Sequence, residues 1–118
     1  MRVYGRGIRR RLAPMLGGDQ KKLRLAYSVL FGLPGAPMVF YGEELGMGEN
    51  LGLPARLAVR SPMPWSNQAN GGFSSATTDR LTRPLTEGDF GYETVNVAAQ
   101  RADPDSLLNW FADLCRTR

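Results

Sequence analysis

The stretch Gly32-Leu33-Pro34-Gly35-Ala36-Pro37-Met38-Val39-Phe40-Tyr41-Gly42 decides the fold. Its first half alternates glycine and proline with little else, which stops a helix and turns the chain. Met38-Val39-Phe40-Tyr41 then runs apolar between Pro37 and Gly42, with no polar residue alternating. Such a run fits a strand covered on both faces, as in a parallel sheet. A single helical turn is the alternative, and the β-branched and aromatic content favours the strand. A lone parallel strand leaves its N–H and C=O groups without partners on both edges. No other segment of the sequence offers it neighbours, so the pattern predicts an α/β fold present as a slice of a larger layered structure.

Upstream, Gly17-Gly18-Asp19 breaks the chain and supplies an N-cap carboxylate for a helix over about residues 20–31. Leu23, Leu25, Ala26, Tyr27, Val29, Leu30 and Phe31 make that helix apolar almost all round, the mark of burial on more than one side. Before it, Ile8, Leu12, Met15 and Leu16 fall at helical spacing within Gly5 to Leu16, with the arginines pointing elsewhere; Pro14 predicts an end or kink near Ala13. Downstream, residues 42–102 are turn-rich, with a short helical turn suggested around Ala55 to Val59. Connections usually run about 4–6 residues, so an excursion this long is either functional or a sign that part of the fold is elsewhere. The chain closes on Asp103-Pro104-Asp105-Ser106, a helix start, followed by the one-sided stripe Leu107, Leu108, Trp110, Phe111, Leu114 and Cys115. Tyr41, Trp110 and Phe111 are expected in the core, Cys115 as a packed thiol, and Asn96 and Gln100 as partners of loop backbone.

Composition narrows the chemistry. With 118 residues and 42% hydrophobic content there is room for one domain. No apolar run reaches the roughly 18 residues of a membrane span and no signal-type segment opens the chain, so the expected setting is cytoplasmic. A single cysteine excludes an internal disulfide, and zero histidines exclude an imidazole base or ligand. Residues 1–24 carry eight basic groups against Asp19 alone, within a net charge of +4 for the whole chain. Such a block is either a nucleic-acid contact or, more commonly, the solvated face of a helix; Arg9-Arg10-Arg11 has no interleaved aromatic, which argues against nucleic acid.

The sixteen-residue run from Leu33 to Gly48, with Gly42-Glu43-Glu44-Leu45-Gly46-Met47-Gly48 after the strand, resembles the last barrel strand and following turn of the α-amylase family, glycoside hydrolase family 13. Gly7 to Leu16, Arg60-Ser61-Pro62-Met63-Pro64-Trp65, Asn70-Gly71-Gly72-Phe73-Ser74, Val95-Asn96-Val97 with Gln100, and Asp103 to Trp110 are similar to its trehalose synthase branch. These blocks are collinear and cover nearly the whole chain. The resemblance implies an incomplete C-terminal slice of a TIM (β/α)8 barrel: residues 20–32 as helix 7, 37–41 as strand 8, 42–102 as a long loop over the catalytic face, and 104–116 as helix 8. It further implies a retaining glucosyl transfer that turns maltose into trehalose inside a pocket closed to water. The family's catalytic carboxylates lie on earlier strands, so no catalytic residue is assigned here, the lone chain is expected to be inactive, and Met1 reads as an internal methionine of a longer ancestor. The implied partners are an α-glucoside such as maltose or trehalose and the missing barrel portion as another chain. The other readings are a different α-amylase-family glucosidase fragment, or a non-enzymatic binding module with a basic N-terminal segment.

Within this frame Arg60 is the leading substrate-binding candidate, its guanidinium suited to sugar hydroxyls or a carboxylate; a loop arginine tying down carbonyls is the equal alternative. The family pattern there is Arg-Thr-Pro-Met-Gln-Trp, and Ser61 and Pro64 depart from it. Trp65 offers a face for a sugar or packing beneath the loop, and Phe73 a rim or a plug. Glu43 and Glu44, adjacent after the strand, diverge too far for an acid/base pair and are expected to support the site by hydrogen bonding. No metal and no cofactor are expected, since no oxygen cluster has evident calcium spacing.

Overall fold

A computed structural model describes residues 8–118. Four α-helices form among the described residues: α1 (Leu12–Met15), α2 (Gln20–Gly32), α3 (Val97–Ala102) and α4 (Leu107–Thr117). Five short 3₁₀ turns lie between α2 and α3, among them Glu43–Leu45 and Ala55–Val59.

The core sits where α2 crosses α4. Leu23 and Tyr27 of α2 meet Leu107 and Phe111 of α4, with Ala13 of α1 beneath them, all buried. The Phe111 ring is T-packed on Tyr27 (5.2 Å between centroids) and on Phe31 (5.4 Å), the edge-to-face geometry aromatic quadrupoles favour. Asp19 caps α2 as its sequence predicts, its carboxylate accepting from the backbone N–H groups of Lys21 and Lys22. Pro14 sits at the third residue of α1 instead of ending a longer helix. There its missing N–H would be unpaired in any case, so the proline starts a helix here and does not break one. Residues 1–7, including Gly5 to Gly7 of the expected helix, lie outside the described residues.

Residues 36–40 form no regular element, and no strand occurs among the described residues, so the expected strand at 37–41 is absent as a strand. Sheet structure needs backbone partners, and none pairs with residues 36–39 among the described residues. The side chains nonetheless alternate. Val39 packs on the helical core, while Met38 is 90% exposed and Phe40 45% exposed. One face of this segment is therefore covered by helices and the other is bare. α2 shows the same imbalance: Leu25 and Val29 are exposed opposite buried Leu23 and Tyr27, where burial on more than one side was expected.

The long excursion is tied shut at its base. Asn96 caps α3 by accepting from the Ala99 N–H, and its amide donates to the Tyr92 carbonyl. Gln100 donates to the Leu45 carbonyl at 2.7 Å and accepts from the Leu108 N–H at 3.0 Å, joining the start of the loop to α4. α3 is a helix within the stretch expected to be loop, and α4 begins at Leu107 with Ser106 as its cap. Asp103 closes a turn onto the Asp105 N–H instead of capping α4. Cys115 is exposed and Tyr41 is 40% exposed, against the expectation of packing for both; the helix stripe is narrower than its apolar composition and does not reach the thiol.

Replacing Asp19 by alanine is expected to cost about 1 kcal/mol in urea unfolding of the chain, and by asparagine only a few tenths. Phe111→Ala, which empties the centre of the aromatic cluster, is expected to cost about 3–5 kcal/mol and abolish the cooperative transition.

Candidate functional site

The site is built on a buried arginine. Arg11 is only 2% exposed, at the N-cap position of α1. Its Nη1 donates to the Tyr41 carbonyl at 2.7 Å and to Glu43 Oε1 at 3.0 Å; its Nη2 donates to the Val59 carbonyl at 2.8 Å. The guanidinium lies 5.1 Å from the Phe40 ring centroid and 5.2 Å from that of Tyr41. One planar cation thus holds the end of the 36–41 segment, the turn after it and the Ala55–Val59 turn in register, using the fork of donors that lysine lacks. Gly42 makes the approach possible. Its φ is +86°, and a Cβ there would stand 2.6 Å from Met47 Sδ and 3.2 Å from Arg11 Nη1.

Tyr27 completes the cluster from α2. Its hydroxyl reaches the Glu43 carbonyl at 3.1 Å and donates to Glu43 Oε2 at 3.2 Å. Burial, then the charge of Glu43 and the hydrogen bond to it, push the Tyr27 hydroxyl well above the ordinary tyrosine range; Glu44 adds to this and Arg11 opposes it. Glu43 is thus held between a cation and a phenol, a structural anchor. Glu44 is half-buried, and its carboxylate has no hydrogen-bond partner among the described residues.

Two open clefts flank this cluster. The larger, about 590 Å³, is lined by apolar Ile8, Leu12, Met15 and Phe40 together with Arg56 and Arg60. The smaller, about 350 Å³, is lined by Tyr41, Arg60, Ser61 and Phe73, with Arg83 opposite. Arg60 lines both and is exposed, its guanidinium without an acceptor among the described residues. Of the sequence-named candidates, Arg60 and Phe73 come together at the smaller cleft. Trp65 does not line either one; it is 50% exposed, and its backbone is pinned to Gly71 and Ala98. Asn70 shapes the loop carrying Phe73 from a left-handed conformation (φ +56°), its amide donating to the Ser74 carbonyl and its oxygen accepting from Thr78 Oγ1.

The described arginines of the basic block are spent internally, while Lys21 and Lys22 are exposed. Arg9 donates to the Leu51 and Leu53 carbonyls, Arg10 pairs with Glu49 at 2.7 Å, and Arg24 reaches the Asp105 carbonyl while lying 5.6 Å from the Trp110 ring. Sequence reasoning missed Arg11, because nothing in Arg9-Arg10-Arg11 marks which arginine turns inward. Tyr27 did carry a signal: a hydroxyl on an all-apolar helix must find a buried acceptor.

Arg11→Met strands the carboxylate of Glu43 beside Tyr27 and is expected to cost about 3 kcal/mol or more in urea unfolding. Tyr27→Phe is expected to cost about 1 kcal/mol at neutral pH. The folded chain keeps the Tyr27 proton that the unfolded chain, with an ordinary value of 10.0, gives up at higher pH. Stability therefore falls as pH rises past that value, and Tyr27→Phe is expected to flatten this alkaline decline in urea titrations.

The chain is 45% identical over 113 residues to the trehalose synthase/amylase of Mycolicibacterium smegmatis, covering 95% of this chain and 19% of the relative. It is 47% identical over 113 residues to a trehalose synthase of Pimelobacter, with 95% and 20% covered. It therefore spans about a fifth of the length of these relatives. The crystal structure of a trehalulose synthase from Pseudomonas mesoacidophila matches the fold with a TM-score of 0.69 at 20% identity, over 92% of this chain and 25% of that one. The described residues thus have the fold of part of an α-amylase-type barrel enzyme. Residues 9–118 match the family model of the α-amylase catalytic domain, and the chain belongs to that family.

Proposed function

We propose that this chain is the closing segment of a retaining, glucosyl-transferring α-glucoside enzyme that converts maltose to trehalose. In that frame α2 is the seventh barrel helix, residues 37–41 are the eighth strand without its neighbours, and α4 is the eighth helix. The single observation carrying this reading is the Arg60–Phe73 cleft beside the end of the 37–41 segment. Barrel enzymes bind substrate on the loops that follow their strands, and this loop carries an exposed guanidinium and an aromatic rim there.

The division of labour follows from the chemistry. A retaining transfer needs a carboxylate nucleophile and a carboxylic acid about 5–5.5 Å apart. Glu43, although it lines the larger cleft, is engaged by Arg11 and Tyr27 and is no free acid, and Glu44 follows it directly in the chain, where neighbouring side chains diverge. The reacting acids belong to other strands of the barrel. This chain's part is to orient a glucosyl unit through Arg60, to offer Phe73 as a platform, and to cover the pocket so that glucose, not water, takes the glucosyl group.

The purified chain is expected to show no release of trehalose or glucose from maltose; turnover by the chain alone overturns the assignment. Grafted in place of the matched residues of the Pimelobacter trehalose synthase, the chain is expected to support conversion. In that chimera Arg60→Met is expected to lower kcat/KM by at least a hundredfold, and Phe73→Ala to raise the fraction of glucose released over trehalose formed.

A further inference from the structure

The smaller cleft carries positive charge that nothing in the described chain answers. Arg60 and Arg83 both line it, and neither guanidinium has an acceptor or an ion-pair partner among the described residues. No carboxylate lines it either: Asp79, in the same loop as Arg83, is not part of its walls. The remaining lining is largely apolar, with Met63 and Leu81 beside Phe73, which is 51% exposed. Two like charges beside an apolar wall repel each other and are poorly screened, so an incoming anion gains more there than in open water.

Both arginines are placed by the fold. Arg60 stands between two carbonyls that are themselves engaged: Val59 accepts from Arg11 Nη2 at 2.8 Å, and Ser61 accepts from the Tyr41 hydroxyl at 2.8 Å. Arg83 follows the turn that Asn70 organises, where the Asn70 amide donates to the Ala76 carbonyl and its oxygen accepts from Thr78 Oγ1. Ser61 also lines the cleft; it is 2% exposed, and its hydroxyl has no partner among the described residues. A buried hydroxyl is rarely left so, and a ligand oxygen supplies what it lacks. A neutral sugar would accept from these donors and leave both charges uncompensated. A carboxylate brings one charge for two arginines. A phosphate monoester brings up to two negative charges and three acceptor oxygens, which suit the paired donors of a guanidinium.

We propose that the smaller cleft is an anion subsite that binds a phosphate monoester, its phosphate held by Arg60 and Arg83 and its carbon skeleton laid on Phe73. It shares Arg60 and Phe73 with the reading above, but phosphate binding tests the one and maltose turnover the other. A phosphorylated sugar seated there excludes the neutral sugar, a consequence that rests on that reading and makes the ester a competitive brake.

The test is calorimetric titration of the purified chain, at constant ionic strength, with glucose 6-phosphate, inorganic phosphate and glucose. Glucose 6-phosphate is expected to bind with a Kd of about 1 mM or tighter, and glucose at least tenfold more weakly. Arg83→Gln is expected to weaken glucose 6-phosphate at least tenfold, and Arg101→Gln, on α3 and outside this cleft, to leave it unchanged. Phe73→Ala separates ester from free phosphate: it is expected to weaken glucose 6-phosphate at least threefold and inorganic phosphate not at all. The covalent chimera supplies a second measurement, in which glucose 6-phosphate is expected to raise the KM for maltose without lowering kcat, an effect that Arg83→Gln abolishes. Glucose binding as tightly as its phosphate, ester binding that survives Arg83→Gln or Phe73→Ala, or no binding together with a chimera indifferent to glucose 6-phosphate each overturns the proposal. Ester binding by the chain beside a chimera that does not turn over maltose sustains it and overturns the reaction instead.

Discussion

The guanidinium of Arg11 is the constraint on which the rest depends. A buried cation is costly unless its donors find acceptors, and here the two Nη nitrogens serve two backbone carbonyls and one carboxylate while the Nε has no partner among the described residues. The carbonyls belong to Tyr41 and Val59, positions that are far apart in sequence and otherwise share no regular element. Sheet hydrogen bonds would normally hold such segments; here side chains do it, Arg11 together with the Tyr41 hydroxyl, which donates to the Ser61 carbonyl at 2.8 Å. The two clefts are where they are because Arg11 sets the distance between the 36–41 segment and the Ala55–Val59 turn.

Tyr27 couples that polar knot to the helical core. Its ring is an edge partner of Phe111, and its hydroxyl belongs to Glu43. Loss of packing between α2 and α4 therefore reaches the turn after Tyr41 through Tyr27 as well as through the direct contact of α4 with that turn. Burial of the phenol, and then the carboxylate of Glu43 beside it, make Tyr27 resist ionisation, with Arg11 opposing.

The parts of the molecule visible in the sequence were those written in local chemistry. Asp19 after two glycines announced the start of α2, and the stripe from Leu107 to Phe111 announced α4. The blocks around Tyr41, Arg60 and Asn70 announced the family. Long-range polar matching was hidden. That Arg11 and not Arg9 or Arg10 turns inward depends on the carbonyl of Val59, forty-eight residues away. That α3 forms depends on Gln100 finding Leu45 and α4, where composition shows only a turn-rich stretch. The strand was legible as an apolar run but needs edges to become one; Met38, Val39 and Phe40 keep its alternation without its hydrogen bonds. Of the site candidates, Arg60 and Phe73 share a cleft because Asn70 holds a left-handed turn, and Trp65 departs from them because its backbone is tied to Ala98.

The clasp formed by Gln100 has a consequence for how such a segment varies. It fastens Leu45 to α4, while Arg9, Arg10 and Arg11 hold Leu51, Leu53, Glu49 and Val59, and the N–H groups of Val97 and Ala98 hold Pro64 and Trp65. The stretch 75–84, which bonds only to itself and to Asn70 and Ser74, is therefore what hangs clear of the helical layer. Lengthening a closed loop is cheap, about 0.6 kcal/mol for each doubling. Insertions and deletions between those residues can accumulate while the scaffold stays fixed, and a lineage is free to remodel what covers its pocket by exchanging this one hinged piece.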